Sequence, residues 1–274
     1  MKNRTHIFGI PFHVGTMKAA LSHVNKILDG GKSCITTTPN AEILLTSLKN
    51  PSLYAVLKKS SLNIPDTVSL LWAENVLNKK WGMIRSVFEL LFLPIRKHFW
   101  KKDETKFLKE TVCGSDIVIE ISALAATRGD AIVFLGSQKG VAKKAAQILQ
   151  KKYPSLKISA LCGSAQEGDD TKMQKFIQKS GAKIVFVAFG CPKQELWIER
   201  NIKHCPKVRM MMGIGGSFDF IVGKIKRAPI LIRKLGLEWF YRFIQEPSRI
   251  FRIVQAVVVF PYKVFYISLI LKKY

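Results

Sequence analysis

The chain has 274 residues, 48% of them hydrophobic, so it is long enough to bury a complete core. Its 44 Lys and Arg against 19 Asp and Glu give a formal net charge of +25, which predicts an anionic partner: phosphorylated substrates, a lipid surface or nucleic acid. The five cysteines show no CxxC and no pair at metal-ligand spacing, which argues against a disulfide scaffold or a zinc site and favours a reducing cytosol.

The first third of the chain predicts one end of an α/β sheet and then an insertion. The N-terminus has too short an apolar run for a signal peptide, which predicts that the chain is not exported. Residues 34–40 (CITTTPN) predict a strand, residues 41–60 a helix and residues 62–66 (LNIPD) a short strand ending at Asp66. Residues 79–109 hold nine Lys and Arg against three acids, with clustered Trp, Phe and Leu, and indicate a basic, apolar insertion.

From residue 131 onward, apolar runs that end in glycine alternate with helical patterns. Strands are predicted at 131–136, 156–163, 183–190 and 208–216, and helices at 139–153, 171–181 and 191–205. Uniformly apolar strands joined through helices require parallel pairing, so the predicted fold is α/β and Rossmann-like, a mostly parallel sheet with flanking helices. In such sheets ligands bind beyond the carboxyl ends of the strands, where helix N-termini face anions.

The last fifty residues, 225–274, predict basic and aromatic helices. Residues 253–271 are the most lipid-like stretch, but Gln255, Pro261 and Lys263 interrupt them, which favours lying on a membrane over crossing it. We therefore predict an α/β domain over residues 1–224 and a C-terminal helical, membrane-associating appendage over residues 225–274. No RRM, KH or zinc-finger pattern is present, so nucleic acid is not predicted as a partner.

Several polar residues at predicted strand ends have both a structural and a functional interpretation. Thr38 and Asn40 follow the first predicted strand, and an N-cap for the next helix explains them as well as a ligand pocket does. Asp66, taken alone, is most simply the N-cap of the helix after it. In GCPKQELW (190–197), Pro192 suits a first helical turn, and Lys193 and Gln194 at the helix mouth fit either a diphosphate or an ordinary turn.

Two glycine-rich turns raise the question of a nucleotide. GIGGSFDF (213–220) lacks the third glycine of a dinucleotide fingerprint and no acidic residue ends a strand about 20 positions later, which disfavours a nicotinamide cofactor. LGSQKG (135–140) is a similar turn, for which simple packing is as good an explanation as a phosphate contact. The five histidines form no HxxxH or HExxH pair and the chain has no DxD, so we predict neither a bound metal nor a cofactor.

Arg242, Arg249 and Arg252 would share one face of a continuous helix, although Pro247 makes that continuity doubtful. A solvated basic face explains their spacing as well as a binding site does. The aromatic residues around them favour an anionic lipid surface, where cations meet phosphates and aromatic rings lie at headgroup depth.

Taken together, these strings resemble the WecG/TagA/CpsF family of bacterial glycosyltransferases, glycosyltransferase family 26. The matching blocks are collinear and cover most of the chain, and the last three are highly specific. They are TPNAE (38–42), PD (65–66), GSD (114–116), FLGS (134–137), FGCPKQELW (189–197), GIGGSFDFIVGKIKRAP (213–229) and GLEWFYRFIQEPSRIFR (236–252).

The resemblance implies an inverting, metal-independent transfer of a sugar, typically N-acetylmannosamine, from a UDP-sugar to a polyprenyl-diphosphate-linked sugar at the inner face of the bacterial plasma membrane. It makes Asp66 the catalytic base, with Thr38 and Asn40 in the same pocket. It places the UDP-sugar against Gly136, Ser137, Gly190, Pro192, Lys193, Gln194, Gly215, Gly216 and Asp219. It places the lipid diphosphate at Arg242, Arg249 and Arg252, and it leaves a homo-oligomer possible.

The chain departs from the family pattern at three positions. Thr67 and Ser69 stand where the family usually has the glycines of PDGxG, and Thr111 stands where it usually has an arginine before GSD. Arg85 or Arg96 of the insertion is a candidate replacement for that arginine. These departures bring the sugar specificity into question, and they leave two alternatives: a catalytically silent membrane-associated assembly protein on the same fold and, less favoured, a nicotinamide-dependent oxidoreductase.

Overall fold

A six-stranded parallel sheet forms the centre of the computed structural model, which describes residues 4–79, 107–229, 232, 238–247 and 250–271. Its strands lie in the order β4-β3-β8-β7-β5-β6. They are β3 (Cys34–Thr37), β4 (Leu62–Asn63), β5 (Ala131–Gly136), β6 (Lys157–Leu161), β7 (Ile184–Ala188) and β8 (Met210–Gly213). This sheet and its helices confirm the predicted α/β class and each of the strands predicted between residues 131 and 216.

An antiparallel hairpin precedes the sheet and was not predicted. Strands β1 (Thr5–Ile7) and β2 (Ile10–Phe12) are joined by Phe8 and Gly9, whose φ angles are 54° and 77°. Two consecutive positive φ angles match the tight two-residue turn that suits the twist of a hairpin. The sequence signal is weak because Phe, unlike Asn or Asp, is an uncommon residue in this conformation.

Helices connect the strands on both faces of the sheet. They are α1 (Met17–Asp29), α2 (Ala41–Ser47), α3 (Pro51–Lys59), α4 (Val68–Lys79), α5 (Gly114–Arg128), α6 (Val141–Lys152), α7 (Asp170–Ser180), α8 (Lys193–Asn201) and α9 (Ser217–Ile221). The single helix predicted over residues 41–60 is two helices. Asn50 Oδ1 accepts from Leu53 N over 3.0 Å and Pro51 takes the first position of α3, so a new helix starts where Pro would interrupt an existing one.

The central strands are buried on both faces, as their apolar sequences predict. Along β5, Ile132 and Phe134 face a core shared with α1, α5 and α6, whereas Val133 and Leu135 face a second core with α7 and α8. Alternate residues of β7 and β8 divide in the same way. The helices therefore cover the faces of the sheet, and the loops at the carboxyl ends of the strands are left to form a ligand site.

The described residues of the C-terminal segment form three helices, of which the last two continue one another through an irregular turn. They are α10 (Glu238–Gln245), α11 (Ile250–Val254), a π-helical turn over Gln255–Val259, and α12 (Phe260–Leu271). Pro261 lacks the N–H that an α-helix would bond to the preceding turn, and a π-helical turn just before it lets the helix continue. The doubt about continuity across Pro247 is confirmed, because α10 ends before it and α11 begins after it.

One side of α12 packs into the protein while another faces outward. Phe260 and Val264 are fully buried in a cluster with Leu70 of α4, and Phe265 makes an edge contact with Trp72 at 5.3 Å between ring centroids. The segment Ile250–Leu269 has a mean hydropathy of 1.6 and only 17% of it is buried. It is long and apolar enough to cross a membrane by length and composition, whereas its interruptions in sequence favoured lying on one. The predicted insertion over residues 79–109 lies largely outside the described residues.

His13 gives the fold a pH-dependent contact. Its Nδ1 accepts a hydrogen bond from the backbone N–H of Asn63, at the end of β4, over 3.1 Å. Burial, followed by the neighbouring His23, Arg4 and His6, lowers the pKa of His13 from 6.5 to about 4. Since the unfolded chain then binds a proton between these values that the folded chain does not, stability falls as the pH drops from about 6.5 towards 4.

We expect His13→Gln to reduce the pH dependence of stability, because its amide oxygen still accepts from Asn63 N but does not titrate. The measurement is the urea midpoint at pH 7.5 and at pH 5.0. The loss on acidification should be smaller in the variant than in the wild type. Equal losses in the two proteins would show that His13 is not the titrating group.

Candidate active site

The carboxyl ends of β3, β4 and β8 meet at one place on the edge of the sheet. Thr38 follows β3, and its hydroxyl donates to the carbonyl of Gly213 at the end of β8 over 3.5 Å. Asp66 follows β4, and its backbone N–H donates to the carbonyl of Pro39 over 3.2 Å. These two bonds bring the predicted site residues Thr38 and Asp66 into one cluster.

Gly114, the first residue of α5, lies at the centre of this cluster. Its N–H donates to Asp66 Oδ1 over 3.0 Å. A Cβ atom built on Gly114 would lie 3.0 Å from Ser217 Oγ, 3.8 Å from Thr38 Oγ1 and 4.0 Å from Asp66 Oδ1. The three side chains therefore surround a position that the missing side chain of a glycine keeps open.

Asp66 binds the start of a helix that is distant in the sequence. The carboxylate binds the first turn of α5, which begins 48 residues later in the chain, and the predicted cap of the helix directly after Asp66 stays a prediction. The positive end of the α5 dipole favours a negative charge at this position. Burial, and then the charge of Asp66, raise the pKa of the adjacent Cys113 thiol, so this cysteine is a neutral neighbour rather than a nucleophile.

Asn40 has the structural role that the sequence allowed. Its Oδ1 accepts from Ile43 N over 2.9 Å and caps α2. One side of its amide is therefore committed to the helix. Asn40 lies beside Thr38 and Pro39, and its predicted contact with a ligand stays a prediction.

Arg227 lies beside the same helix end, and sequence reasoning gave it no role. Its guanidinium forms two bonds with the Asp116 carboxylate, at 2.6 and 2.9 Å, and one with Ser115 Oγ at 3.1 Å. Burial opposes its charge, but the bonds to Asp116 and Cys113 raise the pKa of Arg227 above its usual value. Arg227 belongs to the KIKRAP string (224–229), which is part of a block that supported the family resemblance. That block was the sequence signal that could have identified it, since its local pattern does not point to a site.

Three loops with left-handed backbone lie along the carboxyl edge on the other side of β8. After β5, Gly136 and Ser137 have φ angles of 89° and 64°, and Ser137 N donates to the carbonyl of Ala188 over 2.9 Å. After β7 and β8, Gly190 and Gly215 have φ angles of 77° and 52°. These loops are adjacent because their strands pair in register, so the predicted nucleotide-facing residues lie on neighbouring strand ends.

Gln194 connects two of these loops from inside the protein. Its side-chain oxygen accepts from Gly190 N over 3.2 Å and from Gly215 N over 3.0 Å, and the residue is 2% exposed. Pro192 directly precedes α8, close to the predicted first turn, and Lys193 is exposed at the helix start. The two residues predicted at the helix mouth therefore differ: Lys193 is open to solvent and Gln194 is not.

Asp219 and Lys224 bridge the loop after β8 to the loop after β5. Lys224 Nζ lies 3.8 Å from Asp219 Oδ1 and donates to Gln138 Oε1 over 2.6 Å. Gly216 precedes α9, and a Cβ atom on it would lie 3.7 Å from Asp219 Oδ2. An exposed cation thus lies between the two glycine-rich turns, and sequence reasoning had not selected it.

The predicted lipid-diphosphate arginines are only partly described. Arg249 and the side chain of Arg242 lie outside the described residues, as do Arg85 and Arg96. Arg252 is exposed on α11, and its Nε lies 3.3 Å from Glu42 Oε1 on α2. This ion pair places Arg252 next to the helix that Asn40 caps, and therefore on the same side of the molecule as Asp66.

Thr67 and Ser69, which replace the family's glycines, bond to each other. Their hydroxyl oxygens are 3.0 Å apart at the start of α4. They add side chains directly after Asp66, at positions where the resemblance leads one to expect glycines. Within the described ranges, no group of three His, Cys, Asp or Glu side chains is arranged to hold a metal ion.

Comparison with known proteins identifies the family of the chain. A curated relative from Bacillus subtilis (strain 168), named N-acetylglucosaminyldiphosphoundecaprenol N-acetyl-beta-D-mannosaminyltransferase, is 27% identical over 244 residues, which cover 89% of this chain and 84% of the relative. The family model described as glycosyl transferase WecG/TagA/CpsF family matches residues 5–91 and 100–273. The match confirms the resemblance: the chain belongs to the WecG/TagA/CpsF family and is a glycosyltransferase.

Proposed function

We propose that the protein transfers N-acetylmannosamine or a related hexose from a UDP-sugar to a polyprenyl-diphosphate-linked sugar, with inversion and without a metal ion, during synthesis of a cell-surface polysaccharide. The observation that carries this is the Asp66 carboxylate, which binds Gly114 N, a glycine that the side chains of Thr38 and Ser217 also approach at the carboxyl edge. The name of the Bacillus relative supports the substrate class, because it specifies a mannosaminyl transfer to a diphosphoundecaprenol-linked sugar.

In the proposed reaction, Asp66 takes the proton of the acceptor hydroxyl as its oxygen attacks the anomeric carbon. The new glycosidic C–O bond forms while the bond from that carbon to the UDP oxygen breaks, and UDP leaves with the electron pair. Attack from the face opposite UDP inverts the anomeric centre. The beta linkage in the relative's name fits this outcome, since an α-linked UDP donor gives a β product by inversion.

The negative charge that develops on UDP needs compensation, and we assign this to the basic residues at the edge of the sheet. Lys224 lies between the loops after β5 and β8, and Arg227 lies at the first turn of α5. Both cations belong to the segment that follows α9. A diphosphate held between them would place the sugar towards Asp66.

The test is a transfer assay with UDP-N-acetylmannosamine and a short-chain polyprenyl-diphosphate N-acetylglucosamine acceptor, in the presence of EDTA. We expect product from the wild type and a loss of roughly 100- to 10,000-fold in kcat for Asp66→Asn, the range that a general base contributes. The Asn side chain still accepts from Gly114 N, so folding and UDP binding should persist.

Asp29→Asn, at an exposed position near the end of α1, is the matched control and should keep full turnover. Near-wild-type transfer by Asp66→Asn would refute the base assignment. A wild type that binds no UDP-sugar and transfers none would refute the proposed function and favour the silent assembly protein.

We expect Gly114→Ala to lower kcat at least about tenfold, because the added methyl group would lie 3.0 Å from Ser217 Oγ and force a shift beside Asp66. The helix itself should tolerate alanine, so the melting temperature should change little. Gly31→Ala is the control, since a Cβ there meets nothing within 4 Å. Unchanged kcat in Gly114→Ala would place the acceptor away from this cluster.

We also propose that the C-terminal helices bind the anionic inner face of the membrane. Val258, Tyr262, Tyr266 and Leu269 recur at intervals of three and four residues, and each is between 47% and 67% exposed. An apolar stripe at helical spacing on a strongly basic chain matches the requirements of an anionic lipid surface. This stripe and the lipid-linked acceptor of the Bacillus relative support the same localisation.

We expect Val258→Ser combined with Tyr262→Ser to lower partitioning onto phosphatidylglycerol vesicles by about tenfold, because two apolar side chains no longer enter the lipid. Co-sedimentation measures this. Leu48→Ser combined with Ile148→Ser removes apolar side chains that are 38% and 37% exposed elsewhere, and should leave partitioning unchanged. Equal partitioning of the double variant and the wild type would exclude the stripe as the lipid contact.

A further inference from the structure

The first turn of α8 buries two neighbouring polar side chains, Gln194 and Glu195. They are 2% and 1% exposed, although the helix starts at the open carboxyl edge of the sheet. Burying a carboxyl group is costly unless its environment compensates. The mechanism proposed above gives Glu195 no part, so the pair needs its own explanation.

Gln194 uses its side-chain oxygen to hold two loops. Gly190 N and Gly215 N both donate to Gln194 Oε1, at 3.2 and 3.0 Å, although the glycines are 25 residues apart in the chain. A Cβ atom on Gly213 would lie 2.8 Å from Gln194 Nε2, so the amide also packs directly against β8. The two glycine N–H groups are thus committed to Gln194, which leaves the outer sides of the loops to meet a ligand.

Glu195 sets the direction of the Gln194 amide. Gln194 Nε2 donates to Glu195 Oε1 over 2.8 Å, which requires the NH₂ group to point to Glu195 and the oxygen to point to the glycines. The opposite orientation would leave two loop N–H groups facing an NH₂ group. An acceptor at position 195 therefore decides whether the loops are held together.

The charge state of Glu195 fits this role. Burial raises its pKa, which favours the neutral carboxylic acid, and the side chains beside it are Gln194 and Cys191. Its second oxygen is buried and has no hydrogen-bond partner within the described part of the chain. A neutral acid accepts from Gln194 without the cost of a buried charge.

We propose that Glu195 is a positioning residue that acts through Gln194 to hold the loops at Gly190 and Gly215 in the geometry that receives the donor diphosphate. The inference rests on the proposed function, because it takes these loops to face a nucleotide-sugar. Glu195 itself lies inside the protein and touches no reacting atom. Its effect should therefore fall on binding of the donor more than on turnover.

The sharpest test is Glu195→Met, which keeps the volume of the side chain and removes its acceptor. If Glu195 only filled space in the core, methionine would replace it without loss of function. The free energy of unfolding of Glu195→Met should equal or exceed that of the wild type. We expect the KM for the UDP-sugar to rise about tenfold with kcat changed less than threefold, since the Gln194 amide loses the acceptor that fixes its orientation towards the two loop N–H groups. Glu195→Gln retains an acceptor oxygen and should restore a KM within about threefold of the wild type.

Glu199→Met is the matched control, because it makes the same change one turn later on the same helix, where Glu199 pairs with Lys59 at the surface. It should leave the KM unchanged. Hydrogen exchange followed by mass spectrometry gives a readout that needs no turnover. Peptides containing Gly190 and Gly215 should exchange faster in Glu195→Met than in the wild type.

Each outcome bears on one of the two proposals. Unchanged exchange in a folded Glu195→Met would overturn the positioning role, and so would faster exchange with an unchanged KM, because the loops would then not matter for the donor. If Glu195→Met does not fold, Gln194→Met tests the same two amides by the same measurements. A wild type with no UDP-sugar transfer would refute the proposed function, while the exchange data would still decide whether Glu195 holds the loops.

Discussion

The parallel pairing of β3 with β8 is the constraint on which the site depends. It joins Cys34–Thr37 to Met210–Gly213 across most of the chain, with Thr36 opposite Met212. Because the strands run in the same direction, their carboxyl ends lie side by side, and Thr38 reaches the carbonyl of Gly213. The pairing of these two strands therefore brings early and late residues of the chain together at the site.

Helix α5 adds the electrostatic half of the arrangement. Its first N–H binds Asp66, and its first turn binds Arg227 through Ser115 and Asp116. An anion and a cation thus approach the same helix end from two different segments, and the helix fixes both. In a chain with a net charge of +25, a carboxylate needs such a partner to keep a defined orientation among many cations. A defined orientation is what a general base requires.

The sequence predicted secondary structure where the local pattern of apolar residues reflects burial. It did not predict contacts between residues that are distant in the chain. Strands such as Ile184–Ala188 were predictable, because burial on both faces makes every residue apolar. The partner of Asp66 was not, because nothing near residue 66 indicates that Gly114 lies beside it. Gln194 shows the same limit: its place in the helix mouth was predicted, but a buried bridge between two glycine loops depends on the register of β7 and β8. The family resemblance compensates for this limit, because its matching segments occur in a fixed order along the chain and so indicate which distant segments contribute to one site.

The C-terminal helices share one apolar core with the helix that begins just after Asp66. Phe260 and Val264 are buried with Leu70 and Trp72 of α4, the helix that begins just after Asp66. The predicted boundary near residue 224 remains a prediction, yet its two sides share this apolar cluster. A displacement of α12 therefore reaches α4 through close-packed side chains, because cores of this kind have little free volume. If the proposed function holds, contact with the membrane and the position of the proposed base are coupled through this core, and removing α12 would disturb the core as well as the proposed lipid contact.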